Sequence, residues 1–322
     1  MSPKTNGDTV TYEFPYMRKP KAKSSIWRGI YNPDKNYILG RTPRNWGSLL
    51  IFYTIFYIIL AAMFTICMQG LLSTLSDQAP KWQLESSLIG SNPGLGLRPL
   101  PDDLNRGALI WYDAKEKTQV EYWTRLLSEF LQPYTNKSMM VGGGRNQVQC
   151  GHDSTTAPGL GQVCAVNIEK NFGPCSESNG FGYNRSSPCI YLKLNKIFNW
   201  VPDYYDNVDE LPEEMPTDLK DAIKALPPNE RKQVWISCNG DNSADEENLR
   251  GFSYYPSRGF PGYFYPFTNS PGYLSPLIAV QINRPALNRI VNIECRAWAK
   301  NIIYNGSLRD RQGSIAFELM ID

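Results

Sequence analysis

The residues with side chains suited to catalysis or metal binding are few in this sequence, and their spacing does not favour either. The single histidine, His152, stands two residues after Cys150. A structural zinc site needs four ligands, usually as two pairs, and no second pair at a suitable spacing accompanies this one. A Ser–His hydrolase would have to use His152, but the sequence lacks the G-x-S-x-G nucleophile elbow. We therefore expect His152 to lie in a surface loop and predict no catalytic or metal site.

The sequence motifs also do not predict nucleotide binding or glycosyl transfer. The glycine run 142–144 is followed by Arg145 and lacks the G-K-[ST] ending of a phosphate loop. Gly94 and Gly96 lack the third glycine of a dinucleotide-binding fingerprint. A Golgi glycosyltransferase is the main enzyme alternative, but the D-x-D carboxylate pair that often holds its metal is absent. The sequence thus predicts a non-enzyme that needs no cofactor and binds no nucleic acid.

One long apolar segment sets the overall organisation. The chain carries no charge between Arg44 and Asp77, and the apolar part runs from Trp46 to Gln69. As a helix this part would be about 36 Å long, and a bilayer core needs about 20 residues of this kind. The segment is too long and starts too late for a signal peptide. We predict a single transmembrane helix over residues 46–70.

Basic residues predict the orientation of that span. Residues 1–45 contain nine Lys or Arg against three Asp or Glu, whereas the rest of the chain has 24 basic and 28 acidic residues. Basic flanks stay in the cytoplasm. We therefore expect a cytoplasmic arm over residues 1–45 and an extracellular domain over residues 71–322. The basic run from Arg18 to Lys23 either binds membrane lipid headgroups or only determines topology.

Cysteines and glycosylation sequons support the same topology. Six of the seven cysteines follow the span, and an even number on the oxidising side implies three disulfides, although six cysteines allow 15 pairings. Asn-x-Ser sequons also occur only beyond the span. The cysteines are Cys150, Cys164, Cys175, Cys189, Cys238 and Cys295, and the sequon asparagines are Asn136, Asn184 and Asn305.

Periodicity in the outer region favours strands over helices. Helical spacing predicts a helix from Thr118 to Gln132 that Pro133 closes, and a shorter one from Thr217 to Leu226. Alternating apolar residues predict strands over 291–297 and 315–321, with further candidates at 234–238 and 277–282. Residues 80–101 look like a Pro/Gly-rich connector. We therefore expect a mainly-β domain, an antiparallel sheet or sandwich with helical insertions.

Two aromatic segments are candidate contact surfaces. Phe52, Tyr53, Phe56 and Tyr57 repeat at a spacing of four, so Tyr53 and Tyr57 share one face of the span. A phenol in hydrocarbon needs a hydrogen-bond partner, which another helix could supply. The residues are therefore either a docking stripe for a partner helix or a lipid-facing aromatic patch. The aromatic residues of segment 252–273 form either a rigid packed loop or a contact surface.

The segment from Leu39 to Tyr57 resembles the start of the beta subunit of the sodium/potassium-transporting ATPase, especially the insect Nervana-type members. The resemblance covers residues 25–322 in order. It rests on Leu39-Gly40-Arg41-Thr42, Trp46, Phe52-Tyr53-x-x-Phe56-Tyr57, Gly182-Tyr183, Pro188-Cys189, Lys193-Leu194-Asn195-Lys196, Gly259-Phe260-Pro261, Leu277-x-Ala279-Val280-Gln281 and Ile293-Glu294-Cys295.

This resemblance implies a non-catalytic chain that assembles with the catalytic alpha subunit of a P-type ATPase. It implies that the chain stabilises the alpha subunit, brings it to the plasma membrane and modulates potassium transport. The implied fold of the outer domain is an immunoglobulin-like sandwich of antiparallel sheets with a helical insertion. The implied disulfides are Cys150–Cys164, Cys175–Cys189 and Cys238–Cys295.

The resemblance also implies contact residues. Tyr53 and Tyr57 match tyrosines that pack on late transmembrane helices of the pump, and the run Tyr263-Phe264-Tyr265-Pro266-Phe267 matches a segment facing its extracellular loops. A small single-span regulatory subunit is a further expected neighbour. However, Ile58, Ala62 and Ile66 stand where vertebrate members have glycines, which changes helix packing on that face.

Two other functions remain as alternatives to the sodium/potassium pump subunit. A glycosylated, disulfide-bonded sandwich also suits a cell-adhesion or junction protein, with or without a pump. A proton/potassium pump could equally be the partner, because ion choice lies mainly in the alpha chain.

Overall fold

A computed structural model describes residues 31–32, 37–77, 79–103, 107–139, 141–152, 158–159, 161–307 and 309–322. The chain divides into two units after Leu75. The basic run from Arg18 to Lys23 lies outside the described residues, as does most of the predicted arm.

The first unit is dominated by a long helix, α1, Pro43–Leu72. Strands β1 (Tyr31–Asn32) and β2 (Tyr37–Ile38) pair just before it. Thr42 caps the helix by accepting a hydrogen bond from the Asn45 backbone, and Pro43 occupies its first position. At 30 residues the helix is about 45 Å long. Among the described residues it is the one helix long and apolar enough to cross a membrane, and none of its side chains is buried.

The second unit is built mainly from strands. In chain order they are β3 (Leu95–Arg98), β4 (Leu109–Tyr112), β5 (Gln147–Val148), β6 (Val163–Cys164), β7 (Cys189–Leu194), β8 (Gln233–Gly240), β9 (Phe252–Tyr255), β10 (Gly259–Pro261), β11 (Ile278–Ile282), β12 (Val291–Trp298) and β13 (Ser314–Ile321).

Two sheets in the described part of this unit share one hydrophobic core. Their strand orders are β10-β8-β12-β13-β4 and β3-β7-β11-β9, while β5 and β6 form a separate pair. Alternate residues of both sheets, such as Leu192, Val280, Ile293 and Leu319, enter a single buried cluster. The predicted mainly-β, antiparallel sandwich is confirmed. One edge differs, because β4 pairs with β13 in parallel; these two strands are far apart in sequence, so no tight turn imposes an antiparallel direction.

In the described part of this unit, four α-helices interrupt the strands, namely α2 (Lys117–Thr135), α3 (Ile168–Asn171), α4 (Thr217–Ala225) and α5 (Ser243–Glu247). Helix α2 buries Trp123, Leu127 and Leu131 in the main core. Helix α4 buries Leu219 and Ile223 in a second cluster together with Met215, Trp235 and Trp298. Trp235 lies between the core residues of β8, so α4 covers the outer face of the five-stranded sheet.

Two predictions about these elements were wrong. Helix α2 does not stop at Pro133 but continues to Thr135. A proline removes only one backbone donor, and the last turn keeps the hydrogen bond from the Asn136 N–H to the Gln132 carbonyl at 2.8 Å. The Tyr134 hydroxyl ties this turn to the segment before β11 by donating to the Ser275 carbonyl at 3.0 Å. The region 80–101 is not only a connector, because it contains β3, which pairs with β7.

Candidate docking surfaces and covalent ties

Four rings on α1 form an exposed aromatic ladder, defined here as Phe52, Tyr53, Phe56 and Tyr57. The rings of Phe52 and Phe56 stack with centroids 6.3 Å apart, and those of Tyr53 and Tyr57 with centroids 6.2 Å apart. Edge contacts at 5.4 and 5.5 Å join the two rows. Between 46% and 62% of each residue is accessible. Residues four positions apart therefore stack on one side of the helix, and the four rings form a continuous aromatic surface.

The polar atoms of this helix behave in two different ways. Thr54 donates its hydroxyl to the Leu50 carbonyl and Thr65 to the Ala61 carbonyl, each at 2.8 Å, so both hydroxyls are satisfied within the helix. The hydroxyls of Tyr53 and Tyr57 have no hydrogen-bond partner among the described residues. A phenol at this depth gains from an external acceptor or donor, so the ladder combines apolar area with two unused polar groups.

The second candidate segment, Tyr263 to Phe267, divides between surface and core. Phe264 is only 7% accessible. Tyr265 packs its ring against Trp200 with centroids 5.7 Å apart, and its hydroxyl is buried. Burial raises the pKa of this hydroxyl, so Tyr265 stays neutral. Tyr263, Tyr265 and Phe267 are all half-buried, so each of these three residues leaves part of its surface accessible to a partner.

A cation joins the Phe267 surface, which the sequence interpretation missed. Lys196 Nζ lies 5.2 Å from the centroids of both the Phe267 and the Tyr273 rings, and those rings are 4.9 Å apart. Phe198 adds an edge contact to Phe267 at 6.4 Å. Desolvation lowers the pKa of the Lys196 ammonium. These residues come from strand ends and loops about 70 positions apart, and no local pattern links them.

Three disulfides tie the outer domain, with the pairing that the resemblance implied. Cys238 and Cys295 face each other on neighbouring strands β8 and β12, with Cα atoms 4.0 Å apart. This bridge lies within one sheet, and the Cys238 backbone N–H also donates to the Tyr254 hydroxyl of β9, in the other sheet, at 2.9 Å. Cys175–Cys189 anchors the start of β7 in the core. Cys150–Cys164 closes the β5–β6 pair, and Cys164 Sγ lies 3.5 Å from the Tyr263 carbonyl oxygen.

The three predicted glycosylation sites are all at the surface. Asn136, Asn184 and Asn305 are exposed. Asn136 follows the last residue of α2, Asn184 lies in a 3-10 turn before β7, and Asn305 lies in the loop between β12 and β13. None of them would need to leave the core to carry a glycan.

His152 is more enclosed than a surface loop residue. Its ring makes an edge contact with Tyr263 at 5.3 Å and the residue is half-buried. Among the described residues, no group of three or more His, Cys, Asp or Glu side chains is placed to hold a metal ion. His152 therefore acts here as a packing neighbour of the Tyr263 segment.

Comparisons with known proteins agree with the resemblance. A family model described as sodium/potassium ATPase beta chain matches residues 17–317. The chain is 49% identical over 319 residues to sodium/potassium-transporting ATPase subunit beta-1 of Drosophila melanogaster, covering 99% of each chain. It is 45% identical to subunit beta-2 of the same organism, with 95% coverage of each. Subunit beta-2 of Homo sapiens is 28% identical, covering 91% of this chain and 92% of the human one. The chain therefore belongs to the sodium/potassium ATPase beta-chain family, whose members are non-catalytic subunits.

Proposed function

We propose that this chain assembles with the catalytic alpha subunit of a sodium/potassium pump through its membrane helix. On assembly it stabilises the alpha subunit, accompanies it to the plasma membrane and modulates potassium transport. The aromatic ladder on α1 is the observation that carries this proposal, because its four exposed rings and two unpartnered hydroxyls are suited to a neighbouring helix.

Energetics favours a protein partner over lipid for the ladder. Lipid tails are as apolar as the leucines they would contact, so helix association in membranes depends on close packing and hydrogen bonds. The hydroxyls of Tyr53 and Tyr57 find acceptors on a protein helix but not on acyl chains. The stacked arrangement also fixes the rings beforehand, which lowers the entropy lost on binding.

The outer domain supplies a second contact in this proposal. Tyr263 and Phe267 present ring area, and Lys196 adds a positive charge beside Phe267. Phe264 is buried and supports that surface from below, while the half-buried Tyr265 packs its ring against Trp200. An extracellular loop of the alpha subunit with aromatic or acidic side chains would complement it.

The proposed orientation places the N-terminus in the cytoplasm and residues 71–322 outside the cell. Two independent features support it. The arm before the helix has an excess of six basic residues, and the three disulfides require an oxidising compartment. In this orientation Asn136, Asn184 and Asn305 are accessible to the glycosylation machinery.

Purification from surface membranes in mild detergent tests the proposal. The tagged full-length chain is expected to bring down a large multispanning ATPase in equal molar amount, and the ions that this ATPase moves identify the pump. Recovery of the chain alone, or with other single-span proteins only, would contradict the assignment and favour an adhesion role. Recovery of a proton/potassium pump would keep the subunit role and change the ion.

A further inference from the structure

The outer domain begins with a strongly exposed apolar segment. Trp82 is 54% accessible, Ile89 79%, and Leu88 is fully exposed. These residues precede β3 and make no part of either hydrophobic cluster. Scattered apolar residues are common on protein surfaces, but three within eight positions form a concentration that needs an explanation.

Two other segments are tied to this one and carry exposed apolar residues of their own. Asn199 donates to the Gln83 side chain at 3.2 Å. Asn92 exchanges two hydrogen bonds with the Ile303 backbone, each at 3.0 Å. Asn301 donates to the Val201 carbonyl at 2.8 Å. Val201 is 55% and Ile303 66% accessible. We call Trp82, Leu88, Ile89, Val201 and Ile303 the apolar patch.

Strand register places all three segments at one end of the domain. Leu95, the first residue of β3, pairs with Leu194, the last residue of β7. Segment 82–92 therefore leads into β3 at the same end of the sheet at which the chain leaves β7 toward residues 199–201. The 301–303 segment follows the end of β12 and is joined to residues 201 and 203 by hydrogen bonds. The patch is thus one end surface of the sandwich rather than a set of unrelated side chains.

The covalent connection to α1 limits what can cover this surface. Trp82 lies ten positions after Leu72, the last residue of α1. Ten residues of fully extended chain reach at most about 36 Å. The chemistry also fits a bilayer surface. Trp is enriched where apolar chains meet headgroups, and Lys81 lies with its Nζ 5.5 Å from the Trp82 ring centroid, with the apolar stem and charged head typical of interfacial residues.

We propose that the apolar patch contacts the lipid bilayer that α1 spans, with its side chains in the boundary between headgroups and acyl chains. The charges near the patch do not favour anionic lipids, because Lys81 and Glu85 carry opposite charges. The proposal rests on α1 spanning the membrane, but it does not depend on which ATPase is bound.

Site-specific photo-crosslinking tests the contact in the full-length chain within native membranes. A diazirine amino acid replaces Leu88 or Ile89 in one pair of variants, and Val201 or Ile303 in a second pair. The positive control is Ile66, which is 72% accessible on α1. The negative control is Leu287, which is 49% accessible but lies between β11 and β12, at the other end of the strands.

We expect lipid adducts at positions 88, 89, 201, 303 and 66, and none at 287. Lipid adducts at 66 with none at 88 and 89 would overturn the proposed lipid contact of the patch but would agree with a membrane-spanning α1. Adducts to a protein at 88 and 89 would assign the patch to a partner subunit and also overturn the proposal. Adducts at 88 and 89 but not at 201 and 303 would contradict the single surface. Absence of lipid adducts at all of these positions, 66 included, would overturn the proposal.

Discussion

The membrane helix and the outer domain differ in where their apolar surface goes. Helix α1 buries none of its side chains within the chain. The outer domain places the apolar faces of both sheets and of α2 in one core, and ties its strands with three disulfides. The domain therefore contains the contacts needed for its own stability, whereas the helix makes no comparable contacts within the described residues.

From this difference and the proposed role of α1, we infer that folding and assembly are separable in this chain. Substitutions in the core or at a disulfide should change folding first and partner binding only as a consequence. Substitutions in the aromatic ladder should change partner binding and leave the domain folded.

Loss of the Cys238–Cys295 bridge should have the largest effect. The cysteines are 57 positions apart, and in the chain-entropy account a loop of this length contributes about 4 kcal/mol. We expect Cys238→Ser to retain the chain in the endoplasmic reticulum, as measured by surface labelling and by sensitivity of its glycans to endoglycosidase. Cys67→Ser, which changes the free cysteine on α1, is the control. Normal surface delivery of Cys238→Ser would contradict the importance of the bridge.

Removal of one core side chain from α2 should come second. Leu127 is fully buried, and replacing a buried leucine by alanine costs about 3 kcal/mol through lost burial and the cavity left behind. Leu127→Ala should lower the thermal unfolding midpoint of the domain in the purified full-length chain. Glu121→Ala on the exposed face of the same helix should leave the midpoint unchanged. Equal midpoints for both variants would mean that α2 does not belong to the cooperative core.

Removal of the Lys196 charge should have the smallest effect. Its two ring contacts are partly solvated, and a cation–π contact of this kind contributes about 0.5–1 kcal/mol. Lys196→Met should therefore lower the unfolding midpoint by about 2 °C. Lys115→Met, at an exposed lysine, is the matched control. A drop as large as that of Leu127→Ala would show that the Phe267 surface belongs to the core instead of the periphery.

The features predicted from the sequence are those with a local signal. The apolar run predicted α1 to within a few residues of its ends, and alternation over 291–297 and 315–321 predicted β12 and β13. Spacing of four also predicted that Tyr53 and Tyr57 share a face. In each case the period of the sequence pattern matches the structural repeat of a single helix or strand.

The remaining features depend on contacts between distant residues. β3 is only four residues long, and β7, its partner, lies nearly 100 positions later, so the region looked like a connector. The last turn of α2 extends past Pro133, and Tyr134 in this turn reaches Ser275. Composition showed that segment 263–267 is aromatic, but the direction of Phe264 into the core follows from tertiary packing.

The most direct test of separable folding and assembly replaces Tyr53 and Tyr57 by leucine in one variant. Ile51→Leu with Ile58→Leu is the control, because these residues lie on the opposite side of α1 at about 100° per residue. Alpha-subunit recovery and the unfolding midpoint of the outer domain are measured on the same preparations. We predict that only the tyrosine variant loses alpha subunit and that all midpoints stay equal. Unchanged recovery, or a loss of recovery that accompanies a lower midpoint, would contradict the account.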